Sequence, residues 1–119
     1  MLHPELYTFS PLKIDGDRFT TTISLNSAHP IFKGHFPGQP VLPGVCMMQM
    51  VKEIAENQLS KKLRLQKAAE LKFLSFIDPA AHSSIQMELV IKLADEEVKI
   101  VAKLLNEDTT FFKFNGSFT

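Results

Sequence analysis

The feature that most constrains the fold is a loop dense in proline and glycine that leads directly into an apolar segment. Seven of the fifteen residues from 30 to 44 are proline or glycine. Proline fixes φ and removes a backbone donor, and glycine weakens regular structure, so neither a helix nor a long strand can run through such a stretch. We therefore expect an ordered loop with a stiff backbone that ends where a helix begins, at Gly44.

The segment after this loop predicts a helix over about residues 44–58. Its first two turns are apolar on nearly every side, which indicates burial all round rather than a surface stripe. Polar residues follow in the later turns, so we expect the helix to emerge from the core toward solvent. These later polar residues are Lys52, Glu53, Glu56, Asn57 and Gln58.

The rest of the chain has the period-2 alternation of half-buried strands. Strands are predicted at 19–25, 69–77, 85–93, 98–104 and 112–118, with short polar links at 94–96 and 106–108 that are typical of hairpin turns. The alternating strands have one apolar face, and the helix at 44–58 is the element available to cover it. The sequence therefore predicts an α+β fold, with an antiparallel sheet of four or five strands wrapped around one central helix, in one domain spanning residues 1–119. Exposed sheet edges favour pairing across a dimer.

Charge and composition exclude several function classes. Thirteen basic and thirteen acidic residues give a net charge of zero, which argues against a nucleic-acid binder because phosphate affinity needs a positive surplus. The one basic cluster is interpreted as a solvated loop or helix end (Lys61, Lys62, Arg64 and Lys67). Residues 1–10 have no apolar run after a basic start, so we do not expect them to be a signal peptide, and no stretch approaches the roughly 18 consecutive apolar residues of a membrane span. Cys46 is the only cysteine. We expect a cytoplasmic protein.

Two residues of the loop carry chemistry. His35 lies between Gly34 and Phe36-Pro37, in backbone that proline holds rigid, and histidine is the side chain most easily poised as a base near neutral pH. Gly44 opens the helix, where free N–H groups with partial positive charge can hold an oxyanion. Base and donor together suggest proton abstraction next to a carbonyl. On spacing alone, an incidental histidine in a proline-rich turn is an equally good interpretation.

The twelve residues from Gly34 to Val45 read GHFPGQPVLPGV. This stretch resembles the signature of the 3-hydroxyacyl-acyl-carrier-protein dehydratases, which have the hot-dog fold. The order of helix and strands fits the same family, and residues 71–79 resemble its next strand. The resemblance implies dehydration of a 3-hydroxyacyl thioester, carried by acyl carrier protein or coenzyme A, within a dimer of hot-dog chains. It implies no cofactor.

The resemblance also implies roles for individual residues. His35 matches the histidine that removes the α-proton, and Gly44, with the adjoining Val45, matches the donor and substrate-binding position for the thioester carbonyl. Phe36 and Pro37 match residues that shape the site. In the family, the histidine of one chain faces an acidic residue on the helix of the other chain, and that acid protonates the departing hydroxyl.

This chain departs from the family at that acid, because Gln49 occupies its position. An amide can donate and accept hydrogen bonds but cannot release a proton at neutral pH. Gln49 is therefore interpreted as a group that orients a hydroxyl or a water, or as a core glutamine bonded to backbone. Glu53, one helical turn later, is a possible substitute acid, although a solvated glutamate is the favoured interpretation.

Other reactive side chains receive structural assignments. Cys46 has the position of a nucleophile near a helix N-terminus, but a lone cysteine in a methionine-rich apolar helix is more often core. His3, His29 and His82 lack metal-ligand spacing, so we assign no metal. The methionines of the helix either pack the core or line an acyl tunnel (Met47, Met48 and Met50).

Three functions remain open at this point. The leading hypothesis is dehydration of a 3-hydroxyacyl thioester in the synthesis of fatty acids, polyenes or related lipids, with His35 as base and Gln49 in place of the acid. The second is a hot-dog thioesterase, which would need a water activated by His35, Gln49 or Glu53. The third is a non-catalytic chain that binds acyl groups or pairs with a true dehydratase in a heterodimer.

Overall fold

The computed structural model describes residues 1–33 and 40–119. Seven strands and one α-helix follow one another along these residues, with a single 3₁₀ turn at Pro30–Phe32. The elements in chain order are β1 (Tyr7–Phe9), β2 (Lys13–Asp15), β3 (Arg18–Leu25), α1 (Gly44–Leu59), β4 (Leu65–Phe73), β5 (Ser84–Ala94), β6 (Glu97–Leu105) and β7 (Thr110–Phe118). Within the described part of the chain, no helix is long and apolar enough to cross a membrane.

All strand pairs of the sheet are antiparallel, in the order β1-β3-β5-β6-β7-β4, with β2 paired to β3. The chain leaves the sheet after β3 and returns at β4, which lies at the far edge beside β7. The segment between these two strands must therefore cross the sheet, and α1 lies in this segment. This topology places α1 over the apolar face of the sheet.

The alternation predicted for β5, β6 and β7 is confirmed. Buried residues alternate with exposed or half-buried ones along β5, β6 and residues 112–118 of β7, and Phe111 at the start of β7 is buried as well, so four phenylalanines of β7 lie in the core. Side chains from α1 complete the same buried cluster (Met47, Met50, Val51, Ile54 and Ala55). Burial of this area removes apolar surface from water, which is the dominant force that holds the helix on the sheet.

Three expectations about these elements are wrong. The sheet has seven strands rather than four or five, because β1 and β2 are only three residues long, too short for a periodic pattern to show. The strand predicted at 69–77 is β4, at Leu65–Phe73. It ends early because the N–H groups of Leu74 and Ser75 both donate to the carbonyl of Phe111, which leaves the regular ladder.

The third correction concerns the helix. Gly44–Leu59 agrees with the prediction of about 44–58, but its first turn is not buried all round, since Val45 is 76% exposed. Burial instead continues into the later turns, through Glu53, Ile54 and Ala55. The helix therefore buries one side along most of its length and leaves the side that carries Val45 open.

Candidate functional site

The first backbone N–H groups of α1 have no acceptor in the part of the chain that the structure describes. Pro43 is the N-cap residue, with extended φ and ψ of −60° and 144°, and it has no side-chain oxygen that could cap the helix. Among residues 1–33 and 40–119, no hydrogen-bond acceptor is found for the N–H of Gly44 or of Val45. Such N–H groups point out of the helix end with partial positive charge, so they suit an oxyanion.

Gly44 is in close contact with an aromatic ring of β4. A Cβ atom added at Gly44 would lie 2.7 Å from Cε1 of Phe73 and 2.8 Å from its Cζ, closer than carbon atoms can approach without movement. Phe73 in turn stacks on Phe112, with 5.2 Å between the ring centroids. Glycine at position 44 therefore allows β4 to pack directly against the start of the helix.

A cavity of about 630 Å³ opens beside this contact. Its walls come from the end of the proline-rich loop, the first turn of α1 and the end of β4, and they are mainly apolar (Val41, Leu42, Pro43, Gly44, Met47, Phe73, Leu74, Ser75 and Phe76). The volume lies in the range of small-molecule sites. A backbone donor such as the N–H of Gly44 in the wall of an apolar cavity is suited to a ligand with a polar carbonyl and a hydrocarbon chain.

Gln49 lies on a different side of α1. It is two residues after Met47, which corresponds to a rotation of about 200° round the helix axis, and it does not line the cavity. Gln49 is half-buried, and its Nε2 donates to Oε2 of Glu53 at 2.8 Å. Within one chain, the Gly44 donor and the Gln49 amide are therefore not brought together.

Glu53 is a buried carboxylate rather than a solvated one, which corrects the favoured interpretation. It is 5% exposed and accepts four hydrogen bonds. Oε2 accepts from the N–H of Leu2 at 2.9 Å and from Gln49, and Oε1 accepts from the N–H of His3 at 3.0 Å and from the hydroxyl of Tyr7 at 3.1 Å. The N-terminal segment covers this part of the helix and hides Glu53 from solvent.

These contacts decide the protonation state of Glu53. Burial acts to raise the pKa of its carboxyl group, but the hydrogen bonds from Leu2, His3, Gln49 and Tyr7 outweigh that effect, and the pKa lies below its ordinary value. Glu53 is therefore ionised at neutral pH. An ionised carboxylate that already accepts four hydrogen bonds is poorly suited to act as the substitute acid.

Tyr7 and Cys46 remain protonated. Burial, with a smaller effect from the charge of Glu53 and its hydrogen bond, raises the pKa of Tyr7 far above the ordinary range. Burial and Glu53 likewise raise the pKa of the Cys46 thiol, which is buried in the core. A thiol with a raised pKa is a poor nucleophile, so the geometry supports the core interpretation of Cys46.

The remaining candidate residues either lie outside the described part of the chain or can be placed by their contacts. His35, Phe36 and Pro37 lie outside the described residues. His29 caps the 3₁₀ turn, where its Nδ1 accepts from the N–H of Ile31 at 3.0 Å. His82 accepts from the N–H of Asp78 at 3.2 Å. Of the three methionines, only Met47 lines the cavity, while Met50 is fully buried in the core.

Sequence reasoning missed Phe73 and Tyr7. Phe73 ends a predicted strand, and nothing local indicates that its ring contacts Gly44. Tyr7 is the only tyrosine of the chain. A buried carboxylate requires hydrogen-bond donors, and a tyrosine hydroxyl is one. The sequence alone does not show that Glu53 is buried, so it does not indicate this pairing.

Comparisons with known proteins place the chain in a family. Residues 12–111 match the model of the ApeI-like dehydratases. The 3-hydroxyacyl-acyl-carrier-protein dehydratase FabZ of Rickettsia massiliae (strain Mtu5) is 37% identical over 79 residues, which are 66% of this chain and 54% of that protein. FabZ of Caulobacter vibrioides (strain NA1000 / CB15N) is 28% identical over 87 residues, 73% of this chain and 51% of that protein. The chain spans about half the length of the curated relatives it matches.

Solved structures show the same fold. A chain of the dehydratase heterocomplex ApeI:P from Xenorhabdus doucetiae matches with a TM-score of 0.73 and 18% identity, over 93% of this chain and 96% of that chain. A protein of Erwinia carotovora subsp. atroseptica matches with a TM-score of 0.61 and 22% identity, over 94% and 90%. One helix packed against a large antiparallel sheet is the hot-dog fold, as the resemblance implied.

The class of the protein is thus a hot-dog chain with backbone donors at the start of its helix. More specifically, the chain belongs to the ApeI-like dehydratase family, whose model matches it from residue 12 to residue 111. The family resemblance predicted from residues 34–45 is confirmed.

The ionised state of Glu53 predicts a pH-dependent stability. Glu53→Gln removes the charge that the four donors stabilise, so we expect the free energy of unfolding at pH 7 to fall by about 2 kcal/mol. Because the pKa of Glu53 is lowered in the folded state, its contribution is fully present above the unfolded pKa near 4.3 and is lost as pH falls through the folded value. Urea unfolding from pH 7 to pH 3 measures the difference between the two proteins.

Glu88→Gln serves as the control, because Glu88 lies on β5, away from β4, and forms an exposed ion pair with Arg18 at 3.3 Å. Its effect should stay within about 0.5 kcal/mol at pH 7. A difference between wild type and Glu53→Gln that is constant across the pH range would contradict an ionised Glu53.

Proposed function

We propose that the protein dehydrates a 3-hydroxyacyl thioester to the trans-2-enoyl thioester. The observation that carries this proposal is the N–H of Gly44, which has no acceptor among the described residues and lies in the wall of an apolar cavity, in a chain of a dehydratase family. The thioester carbonyl would accept from the N–H of Gly44, and the acyl chain would occupy the cavity. The substrate would be carried on acyl carrier protein. The name of the FabZ relatives, 3-hydroxyacyl-acyl-carrier-protein dehydratase, supports this carrier.

His35 acts as the base. It takes the α-proton while the carbonyl oxygen gains negative charge, which the Gly44 N–H and the helix dipole stabilise. The C3–O bond then breaks as the C2=C3 double bond forms. The departing hydroxyl needs one proton to leave as water.

The proton on His35 is the one available for that step. Gln49 has no proton to release at neutral pH, and Glu53 is held ionised by its four hydrogen bonds. In the proposed reaction, the imidazolium formed by α-proton abstraction returns its proton to the leaving hydroxyl, which regenerates neutral His35 and balances the elimination of one water. Gln49 binds the hydroxyl while this happens. Loss of a separate general acid is expected to slow the reaction about 10²–10⁴-fold relative to a site that has one.

The complete site is proposed to need two chains. The Gly44 donor and Gln49 lie on different sides of α1, so each would meet the complementary half of the site on another chain. The far edge of the sheet suits that contact, because β4 is exposed or half-buried along its whole length. Several large apolar side chains at this edge are open to solvent in a single chain (Val45, Leu71, Phe73, Leu74 and Phe76). Unpaired strand edges of this kind are templates for pairing.

A heterodimer is the second candidate. Its support is that a matching chain comes from a dehydratase heterocomplex, and that this chain has glutamine where a partner could provide an acid. In that arrangement, the present chain would contribute the Gly44 donor and its cavity. Thioester hydrolysis is less favoured, because the family is one of dehydratases.

Removal of the base tests the reaction. His35→Ala should lower kcat/KM for a 3-hydroxyacyl-coenzyme A thioester by at least about 10²-fold, because no other side chain of the proposed site would accept the α-proton. Formation of the enoyl thioester is followed by its ultraviolet absorbance, and release of free thiol is measured in parallel. His29→Ala, a change of the same residue type in a capping role, should keep the rate within about twofold.

Equal rates for wild type and His35→Ala would refute the proposed reaction. Release of free thiol without enoyl product would instead favour a thioesterase.

The oligomeric state tests the proposed two-chain site. Sedimentation velocity should give a dimer for wild type, and Phe76→Glu should give a monomer because a buried charge would oppose the apolar contact. Phe76 is 74% exposed in a single chain. Leu93→Glu is the matched control, since Leu93 is 70% exposed but is separated from β4 by β6 and β7. A wild-type monomer that associates only with a second hot-dog chain would replace the homodimer by the heterodimer.

A further inference from the structure

A chain of hydrogen bonds, buried or partly buried, connects the N-terminal segment to Gln49 through Glu53. Leu2, His3 and Tyr7 donate to the carboxylate, and Gln49 donates to it from the preceding turn of α1, at 2.8 Å. The first three donors are separated from Glu53 by 46 to 51 residues in sequence. None of these contacts is a step of the proposed reaction. Their effect is on the orientation of the Gln49 amide.

The chemistry of this contact fixes the orientation of the Gln49 amide. An ionised carboxylate has only acceptor atoms, so it can pair with the NH₂ group of an amide but not with its carbonyl oxygen. If the amide of Gln49 were reversed, Oε1 would face Oε2 of Glu53 at about the same distance, and the two oxygens would repel each other. Nε2 is therefore held toward Glu53, and Oε1 is turned away from it.

We propose that Glu53 is a positioning residue, which holds Gln49 so that its Oε1 accepts a hydrogen bond from the 3-hydroxyl group of the substrate. This inference rests on the proposed function. A site with a fixed acceptor for a hydroxyl group discriminates against an acyl chain that lacks one, because the acceptor is then left without a partner. Glu53 would thus favour 3-hydroxyacyl thioesters over saturated thioesters of the same length.

Glu53→Met tests this role, with Glu56→Met as the matched control. Methionine keeps an unbranched side chain but removes the acceptor for Nε2 of Gln49. Glu56 is one turn further along α1 and accepts from the N–H of Leu63 at 2.8 Å, so its substitution also removes a carboxylate that binds backbone. Thermal unfolding of both variants gives the temperature range in which each is folded, and activity is measured within that range.

The expected result is specific to the hydroxyl group. Glu53→Met should lower kcat/KM for a 3-hydroxyacyl-coenzyme A thioester about tenfold, the loss expected for one oriented hydrogen bond. Inhibition by the saturated thioester of equal chain length should change by less than about twofold. Glu56→Met should leave both quantities within about twofold. Equal losses for the hydroxylated substrate and the saturated inhibitor would mean that Glu53 acts on the fold in general, and would overturn the proposal.

A double-mutant cycle with Gln49→Met separates positioning from stability. If Glu53 acts through Gln49, then Glu53→Met should have no further effect on kcat/KM in the Gln49→Met background, although it should still lower thermal stability. Losses that multiply in the double variant would overturn the proposal. Should Glu53→Met fail to fold, Gln49→Met alone still has to show the hydroxyl-specific loss.

A spectroscopic measurement on wild type keeps this inference distinct from the proposed function. The side-chain ¹⁵N–¹H signals of Gln49, assigned by their loss in Gln49→Met, should shift as Glu53 titrates below the ordinary glutamate pKa of about 4.3. Tyr7 and Cys46 also face Glu53 but stay protonated in this range, because burial raises the pKa of each. If the shift occurs and no 3-hydroxyacyl thioester is dehydrated, the proposed function and the hydroxyl contact fail while the orientation of Gln49 stands. If the shift does not occur, positioning by Glu53 is overturned whatever the activity.

Discussion

The burial of α1 against the apolar face of the sheet is the constraint on which the rest of the structure depends. Because the chain leaves the sheet after β3 and rejoins it at the opposite edge, α1 has to cross between them. The crossing brings Gly44 against Phe73 of β4 and creates the cavity beside the helix N-terminus. It also places the next turns of the helix under the N-terminal segment, where Glu53 becomes buried. The positions of the Gly44 N–H and of the Gln49 amide therefore both result from the packing of α1 on the sheet.

Much of this architecture could be predicted from local patterns. The alternation in β5, β6 and β7 appears directly in the sequence, and the change from proline-rich loop to apolar residues gives the start of α1 at Gly44. The spacing of Gln49 and Glu53 by four residues also predicts that they share a helix face, and their side chains are hydrogen-bonded. These features depend on residues that are close together in the chain.

The features that escaped prediction depend on residues far apart in sequence. Glu53 looks like a surface glutamate because its covering residues, Leu2, His3 and Tyr7, come from the other end of the chain. Strands as short as β1 have too few residues for a period to be read. The apolar side chains of β4 predict a buried strand, yet they are mostly exposed in a single chain, which is understandable if their burial comes from a second chain.

The ionised Glu53 also explains why an amide at position 49 fits this chain. A carboxylate at position 49 would lie within hydrogen-bond distance of Oε2 of Glu53, as Nε2 of Gln49 does at 2.8 Å. Two carboxylates at that distance cannot both be ionised, so one pKa would rise strongly. Glutamine avoids this repulsion and gives Glu53 a donor. Gln49 is therefore matched to its surroundings, because Glu53 accepts the hydrogen bond that the amide donates.

The proposed reaction uses a base and an oxyanion donor but no separate general acid. The pH dependence of kcat/KM for dehydration by the wild-type protein distinguishes this arrangement from one with an acid, because the profile reports the essential groups of the free enzyme. We predict a rate that rises with pH through one ionisation, that of His35, and then stays level, since Gln49 does not titrate and Glu53 stays ionised. A bell-shaped profile with a falling alkaline limb, retained while the fold is intact, would reveal an acid in the site and contradict the account.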